Sequence, residues 1–421
     1  MADELSIEPG AGTPADVLRY VQHAVRFCCA QGARLLVDGA QAYPEMLRAI
    51  DKASCCVDLE TFILTADATG RRFAQALMAA ARRGVAVRLM YDWIGSYSLP
   101  AAFVRELLDA GVDVRVYHPL VWRRPSWAIN RRSHRKLLIV DRGVGFTGGL
   151  NIGDDYAPID QGGKGWRDTH VLLEGAQMAR RLEAAFNYAW TLATPYDASR
   201  KPTQRVRLGL RHIGPRLRGR LRREVGAAIA NGGPVCEAGG IAVKILGNEE
   251  FRFRRRIHRA YLHAISRATR YVLIENAYFI PNRSVRRALR KAAARGVTVA
   301  VVLARHSDVP ITTYASRYLY RELLRGGVRI FEWQDGMMHA KTAVIDDAWS
   351  IVGSYNFDHR SLLHQLELAA LIADGPFAAT LRDRTLADLA RCREVNLAEH
   401  NRRPWHQRAL EWLAYLVRSL L

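Results

Sequence analysis

The chain of 421 residues is 49% hydrophobic and 24% charged, which is typical of a globular protein with room for two domains and excludes a largely disordered chain. The net charge of +21 predicts a polyanionic neighbour, nucleic acid or the anionic face of a membrane, although a merely solvated basic surface would carry the same charge. No run of apolar residues approaches the roughly 18 needed to span a bilayer, and the acidic amino terminus lacks a signal peptide's basic start and apolar run.

The six cysteines lack the Cys-x-x-Cys spacing of a zinc site and do not form the framework of a small secreted protein. We interpret them as buried thiols in a reducing compartment. With the absence of an apolar span, this predicts a protein of the cytoplasm or of the cytoplasmic face of a membrane.

The chain contains one unit twice. Three segments recur in the same order, at separations of 212, 216 and 205 residues: AARRGVAVRLMYD (80–92) as AAARGVTVAVVLA (292–304), VRELLDAGVDVRVY (104–117) as YRELLRGGVRIFEW (320–333), and SHRKLLIVD (133–141) as MHAKTAVID (338–346). Two copies of this size predict a pair of similar domains and not an array of short repeats.

Within each half, helical patterns alternate with short apolar strands. RRFAQALMAAARRG (71–84) followed by VAVRLMY predicts a helix, a glycine stop and a buried strand, and RRALRKAAARG (286–296) followed by VTVAVVLA predicts the same. Strands separated by helices favour an α/β fold, with a largely parallel mixed sheet in each half.

Between the halves, residues 200–223 carry ten basic and no acidic side chains, two prolines and three glycines. We interpret this segment as a basic linker that contacts phosphate groups, the alternative being a solvated arm. The predicted division of the chain is an N-terminal segment (1–33), a first lobe (34–199), the basic linker (200–240), a second lobe (241–400) and an amphipathic C-terminal helix (401–421).

The pattern His-x-Lys-x4-Asp occurs twice in register, as His134, Lys136 and Asp141 and as His339, Lys341 and Asp346. From the composition, one such match is expected by chance roughly 0.01 times. Both segments have strand patterns, so histidine and lysine should face one cavity. There the lysine can hold a phosphate oxygen, while the histidine serves as nucleophile or general acid. The two aspartates are expected to be architectural.

Further matched residues follow each motif. Gly148-Gly149-x-Asn151 corresponds to Gly353-Ser354-x-Asn356, and we expect Gly149, Asn151, Ser354 and Asn356 to contact the substrate phosphate. An ordinary turn is the alternative. Asp168 and Glu367 each precede an apolar strand, and we propose them as the carboxylates that orient His134 and His339, although they could be structural.

These duplicated motifs resemble the phospholipase D superfamily. The signatures NRRSHRKLLIVD…GFTGGLNIGDDY and HAKTAVIDDAWSIVGSYNFDHRSLLHQLE are similar to those of bacterial cardiolipin synthases, in the branch without N-terminal transmembrane helices. The resemblance covers about residues 35–400. It implies two α/β lobes related by a pseudo-twofold axis, a site in the cleft between them, a phosphohistidine intermediate and no catalytic metal. Gln365 departs from the pattern, in which many relatives have asparagine, and this bears on acceptor recognition.

The C-terminal residues 405–421 have the pattern of an amphipathic helix. One stripe is polar and the remainder is apolar, with two tryptophans and flanking arginines. A helix of this kind, too short to span, is typical of the membrane interface, and a helix docked on the protein's own core is the alternative.

The combined expectation is a phosphatidyltransferase similar to cardiolipin synthases, peripheral on the cytoplasmic face of the bacterial membrane and acting on anionic phospholipids such as phosphatidylglycerol. The resemblance alone assigns His134 as nucleophile and His339 as acid–base. No cofactor, metal or specific nucleic acid partner is expected. A hydrolytic phospholipase D, a phosphodiester nuclease and a non-catalytic scaffold are the alternatives, and no oligomeric state is predicted.

Overall fold

The structure is a computed structural model that describes residues 7, 17, 19–20, 27–119, 130–196, 236, 240–248 and 255–420. The strands are β1 (Cys28–Ala30), β2 (Gly32–Val37), β3 (Cys56–Thr61), β4 (Ala86–Asp92), β5 (Asp113–Tyr117), β6 (Leu137–Val140), β7 (Val144–Gly148), β8 (Thr169–Glu174), β9 (Thr194–Pro195), β10 (Ile241–Gly247), β11 (Tyr271–Asn276), β12 (Thr298–His306), β13 (Arg329–Met337), β14 (Lys341–Ile345), β15 (Trp349–Gly353), β16 (Leu368–Ala373) and β17 (Cys392–Glu394). The helices within these ranges are α1 (Asp38–Lys52), α2 (Ala68–Arg82), α3 (Ala101–Asp109), α4 (Ala176–Leu192), α5 (Arg256–Arg267), α6 (Arg283–Ala294), α7 (Pro310–Arg325), α8 (His359–Leu363), α9 (Gly375–Leu389), α10 (Leu397–Asn401) and α11 (Trp405–Leu416).

The strands form two sheets with the same topology. The first has the order β2-β8-β7-β6-β3-β4-β5-β9, and the second has the order β10-β16-β15-β14-β11-β12-β13-β17, with β1 added at its β10 edge. Apart from β1, each strand of the second sheet is the counterpart of the strand at the same position in the first. The predicted pair of similar α/β lobes is therefore confirmed.

Each sheet is mixed, but its parallel part is smaller than predicted. Among the described strands, β3, β4 and β5 run parallel, as do β11, β12 and β13, and the other strand pairings are antiparallel. Helical crossovers join the parallel strands, whereas β6 and β7 form a tight hairpin. Because helices are clear in the sequence, sequence analysis predicts more helical crossovers between parallel strands, and fewer antiparallel hairpins, than the structure contains.

The helix–glycine–strand units have the predicted form. The Asp67 side chain caps α2 by accepting from Gly70 N, and Asn282 caps α6 by accepting from Val285 N. After each helix comes a glycine, Gly84 or Gly296, with φ of +88°. Glycine adopts this left-handed backbone without a Cβ penalty, so the chain can turn sharply into β4 or β12.

The described apolar residues form one main core in each lobe, a third core that both lobes share, and a small cluster between α7 and α11. The shared core includes Leu137 and Val171 of the first sheet, Leu273 of the second, and the buried faces of α4 and α9. Because each lobe completes the other's core, the lobes are held in a fixed relation.

Strand β1 does not belong to the first lobe. It pairs antiparallel with β10, and Cys29 within it forms a disulfide with Cys236. The prediction of six free thiols is therefore wrong for this pair, because the crossing of β1 to the second sheet brings together cysteines 207 residues apart. The boundary drawn at residue 33 also falls inside β2, which begins at Gly32. The basic segment 200–223 lies outside the described residues.

Candidate active site

The two histidine motifs meet where the lobes exchange backbone hydrogen bonds. His134 N donates to Leu366 O at 2.9 Å, and His339 N donates to Arg167 O at 2.7 Å. Because residue 339 is the counterpart of 134 in the other half, these are two copies of one contact. This reciprocity is what a pseudo-twofold relation between the lobes requires.

Histidine and lysine of each motif lie in the extended chain at the start of the hairpin. β6 begins just after Lys136, and β14 begins at Lys341. Each lysine Nζ donates to the carbonyl oxygen of its own motif's histidine, at 2.7 Å for Lys136 to His134. All four side chains are buried.

The carboxylates pair with the histidines across the lobes. His134 Nδ1 lies 3.2 and 3.3 Å from the two carboxylate oxygens of Glu367, and His339 Nδ1 lies 2.7 Å from Asp168 Oδ2. A carboxylate only accepts, so each Nδ1 carries the hydrogen and each Nε2 keeps its lone pair. Thus each half supplies the carboxylate that orients the other half's histidine.

The two carboxylates differ in their other partners. Glu367 accepts from the hydroxyls of Ser354 and Ser361, the latter at 2.7 Å. At the position equivalent to Ser354 stands Gly149, where an added Cβ would lie 2.1 Å from Asp168 Oδ1. Asp168 instead accepts from Thr169 N at 2.7 Å. The glycine therefore allows the close approach of a carboxylate, and it leaves Asp168 without the hydroxyl that Glu367 has there.

Several polar groups of the residues expected to contact phosphate already form hydrogen bonds within the protein. The backbone amides of Gly149 and Ser354 donate to carbonyl oxygens of the neighbouring strands. Asn151 Nδ2 donates to the Tyr156 hydroxyl at 2.7 Å, and Asn151 Oδ1 accepts from a backbone amide. Within the described residues, buried Asn356 Oδ1 has no hydrogen-bond partner. Phosphate contact by these four residues stays a prediction.

Burial and mutual repulsion set the protonation of the cationic side chains. Burial, then the charge of Lys341, lowers the pKa of Lys136 to about 7, and burial lowers that of Lys341 to about 8. Burial and the lysines lower the pKa of His134 to about 4 and that of His339 well below its usual value. Before substrate binds, both histidines are therefore neutral at pH 7. A phosphodiester anion between the lysines would oppose these shifts.

Aromatic rings pack around both histidines, and more of them surround His339 than His134. Phe62 packs edge-on against His134 with ring centroids 5.2 Å apart. Around His339 stand Tyr156, Trp166 and Tyr278, at 5.5, 6.1 and 6.1 Å. Sequence reasoning missed these rings. Phe62 directly follows β3 and Tyr278 lies two residues after the end of β11, and an aromatic residue shortly after each of these equivalent strands is the signal that could have found them.

Buried ion pairs beneath the site were also missed. In the first lobe, Arg135 donates to both oxygens of Glu60, at 3.0 and 2.9 Å. In the second lobe, Glu275 accepts from Thr342 at 2.9 Å and lies near Arg167, which is paired with Asp388. Such charges are retained only when they are paired, so they fix the backbone under each motif.

The motif aspartates lie away from the histidines. Asp141 accepts from the backbone amides of Ser54, Cys55 and Cys56, and Asp346 accepts from those of Thr269, Arg270 and Tyr271. Each thereby ties the end of one strand to the start of another. This arrangement favours the architectural interpretation.

Comparisons with known proteins match both the duplication and the fold. The family profile described as "Cardiolipin synthase, PLD-like domain" matches residues 46–190 and 261–388. The chain is 35% identical over 386 residues to cardiolipin synthase B of Salmonella typhi, covering 91% of this chain and 86% of that protein. It is 30% identical over 403 residues to cardiolipin synthase of Geobacillus thermodenitrificans, covering 96% and 74%. The crystal structure of phosphatidylserine synthase from Haemophilus influenzae matches with a TM-score of 0.71 and 15% identity, covering 96% of this chain and 100% of that one, which shows the fold alone.

Proposed function

Because the chain belongs to the phospholipase D-like cardiolipin synthase family, with one copy of the family domain in each half, we propose that it transfers a phosphatidyl group from one phosphatidylglycerol to a hydroxyl of another. Glycerol is the leaving group. The observation that carries this proposal is the pair of buried histidines, each held at Nδ1 by a carboxylate of the other half and each followed by a lysine.

In the first step, His134 Nε2 attacks the phosphorus of phosphatidylglycerol, so a P–N bond forms and the P–O bond to the headgroup glycerol breaks. When the phosphodiester anion binds, His339 takes up a proton at Nε2, and it then gives this proton to the departing glycerol oxygen. Lys136 and Lys341 stabilise the charge on the nonbridging oxygens. Glu367 stabilises the positive charge that the phosphorylated imidazole acquires.

In the second step, His339 Nε2 removes a proton from a hydroxyl of a second phosphatidylglycerol. The oxygen attacks phosphorus, the P–O bond forms, and the P–N bond to His134 breaks. The products are cardiolipin and the regenerated enzyme, with His339 protonated for the next cycle.

The unequal carboxylates support this division of roles. Glu367 shares its charge among His134 and two serine hydroxyls, which favours a neutral, nucleophilic His134. Asp168 lies closer to its histidine, at 2.7 Å, and has no serine partner. The negative charge of Asp168 therefore acts more strongly on its histidine than that of Glu367 does, and it stabilises the protonated form of His339.

We place the reaction at the membrane surface. No helix within the described ranges has the length and apolar character to cross a bilayer. A net charge of +21 favours attachment to the anionic cytoplasmic leaflet. The Cys29–Cys236 disulfide is unusual for that compartment, so alkylation of the cysteines in intact and permeabilised cells is the measurement of sidedness.

The test is turnover of purified enzyme on vesicles of phosphatidylglycerol, with lipids followed by mass spectrometry and glycerol by a coupled assay. We expect one glycerol per cardiolipin, and loss of both products in His134→Ala and His339→Ala. Phosphatidic acid in place of cardiolipin would make the enzyme a hydrolytic phospholipase D. Cleavage of DNA without lipid turnover would make it a nuclease.

A further inference from the structure

The C-terminal helix α11 is attached to the protein by its polar side. Glu411 is buried and accepts from Arg403 at 2.7 Å, Ala414 packs with Ala315 and Leu319 of α7, and Tyr415 stacks on a tyrosine of that helix. A helix docked as part of the core would have buried its leucines and tryptophans instead. The helix is therefore packed against the enzyme through its polar side, and its apolar side faces outward.

Seven large apolar side chains of α11 and the turn after it are exposed: Trp405, Leu410, Trp412, Leu413, Leu416, Val417 and Leu420. Trp405 is 78% exposed and Trp412 47%. The one acidic residue between 405 and 420, Glu411, is the buried one. Arg402, Arg408 and Arg418 are exposed along the same segment. The outward surface is thus apolar and cationic, which complements an anionic bilayer and not another basic protein surface.

The remaining exposed large apolar side chains among the described residues lie in both lobes. In the first lobe they are Tyr97 and Ile159, at 79% and 75% exposure. Tyr97 follows the end of β4, and Ile159 lies three residues after Tyr156, whose hydroxyl is 3.3 Å from His339 Nδ1. In the second lobe they are Val309, Ile311 and Tyr318, in and before α7.

Helix α11 is also connected to the walls of the site. The turn Arg418–Leu420 packs on α8, which contains Ser361, a donor to Glu367. Helix α7 begins two residues after Asp308, which accepts from the Tyr278 hydroxyl at 2.6 Å. The ring of Tyr278 lies against His339. Apolar contacts to lipid at α11 would therefore hold the cleft close to the headgroups.

We propose that the outward face of α11, centred on Trp412 and Leu416, is the docking surface for an anionic phospholipid bilayer. This inference rests on the proposed function for its account of why the cleft should face lipid. The binding surface itself is independent of the chemistry.

The test compares the full-length protein with Trp412→Ser/Leu416→Ser and with the conservative control Trp412→Phe/Leu416→Met. Both positions are exposed, so folding should be unchanged, and the melting temperature checks this. Co-flotation with vesicles of phosphatidylglycerol and phosphatidylcholine measures binding. The serine variant should bind about a hundredfold more weakly, whereas the control should stay within a few-fold of wild type.

Glycerol release is then measured on vesicles and on short-chain phosphatidylglycerol below its critical micelle concentration. The serine variant should lose activity on vesicles and keep wild-type activity on the monomeric lipid. Wild-type vesicle binding by the serine variant overturns the proposal. So does a lipid-free wild-type dimer that the serine substitutions dissociate, since a second copy would then cover this face. A wild-type protein inactive on both substrates refutes the transfer function and leaves the binding result standing.

Discussion

Removal of the Asp346 carboxylate should destabilise the protein without altering its chemistry. In the folded state this carboxylate accepts from three consecutive backbone amides, from the Thr269 hydroxyl at 2.7 Å and from the hydroxyl of buried Tyr20. Thr269 is exposed and can hydrogen-bond to water, whereas the Tyr271 amide is buried and the Tyr20 hydroxyl has only the more distant Arg267 carbonyl, at 3.4 Å, as another acceptor among the described residues. Each buried donor left unpaired costs about 1–3 kcal/mol.

The backbone at residue 346 adds to the effect. Its φ is +53°, a conformation that costs alanine about 1 kcal/mol and that asparagine tolerates. We therefore expect Asp346→Ala to lower the free energy of unfolding by about 3–5 kcal/mol. For a lobe of this size the melting temperature should fall by about 10 °C. Asp346→Asn keeps one acceptor oxygen and should lose less than half as much.

The effect should also depend on pH. Burial alone would raise the pKa of Asp346, but the hydrogen bonds from Tyr20, Tyr271 and Thr269 outweigh it and lower that pKa below 3.8. A carboxyl with a lowered pKa stabilises the fold above the unfolded value and loses this contribution as pH falls through the folded one. The difference in melting temperature between wild type and Asp346→Asn should be largest at neutral pH and shrink below pH ~4.

Differential scanning calorimetry and glycerol release, measured below the melting range of each variant, separate stability from chemistry. We expect Asp346→Asn to turn over at near the wild-type rate while folded. An Asp346→Ala protein with an unshifted melting temperature but no activity would refute the architectural role and make the aspartate part of the reaction.

Three further outcomes are expected. Asp168→Asn should shift the 15N signal of His339 Nδ1 and Glu367→Gln that of His134, and the reverse assignment would contradict the crossed pairing. Turnover should persist in a chelator, because the lysines bring positive charge to the phosphate; loss that magnesium restores at unchanged vesicle binding would refute this. Finally, kcat/KM should decline with rising pH because the reaction needs a proton on His339, and the decline should steepen above about 7, where Lys136 loses its proton. It should also fall as pH drops through about 4, where His134 becomes charged. If the fall of kcat/KM at alkaline pH is unchanged in Lys136→Arg, deprotonation of Lys136 is not its cause.

The sequence by itself determined the duplication and the chemistry-bearing residues. Two His-x-Lys-x4-Asp patterns at a common offset are a local signal, since the residues of each lie within eight positions of one another. The helix–glycine–strand units are likewise local, because capping and apolar periodicity act over a few turns.

The pairing of the site residues was decided by tertiary structure. Asp168 and Glu367 follow their own motifs at similar distances, so the spacing gives no preference between the histidines. The reciprocal backbone hydrogen bonds of His134 and His339 join the two halves. This contact places each carboxylate next to the histidine of the other half. The contact of the Tyr156 hydroxyl with His339 depends on the same crossing.

The same limit explains where sequence reasoning failed. The polar stripe of α11 gave no indication that Glu411 is buried, where it accepts a hydrogen bond from Arg403. The pairing of Cys29 with Cys236 required β1 to cross to the second sheet, which no local pattern indicates. Local patterns specify an element and its two faces, whereas the choice of which face is buried depends on the free energy of contacts between residues distant in sequence.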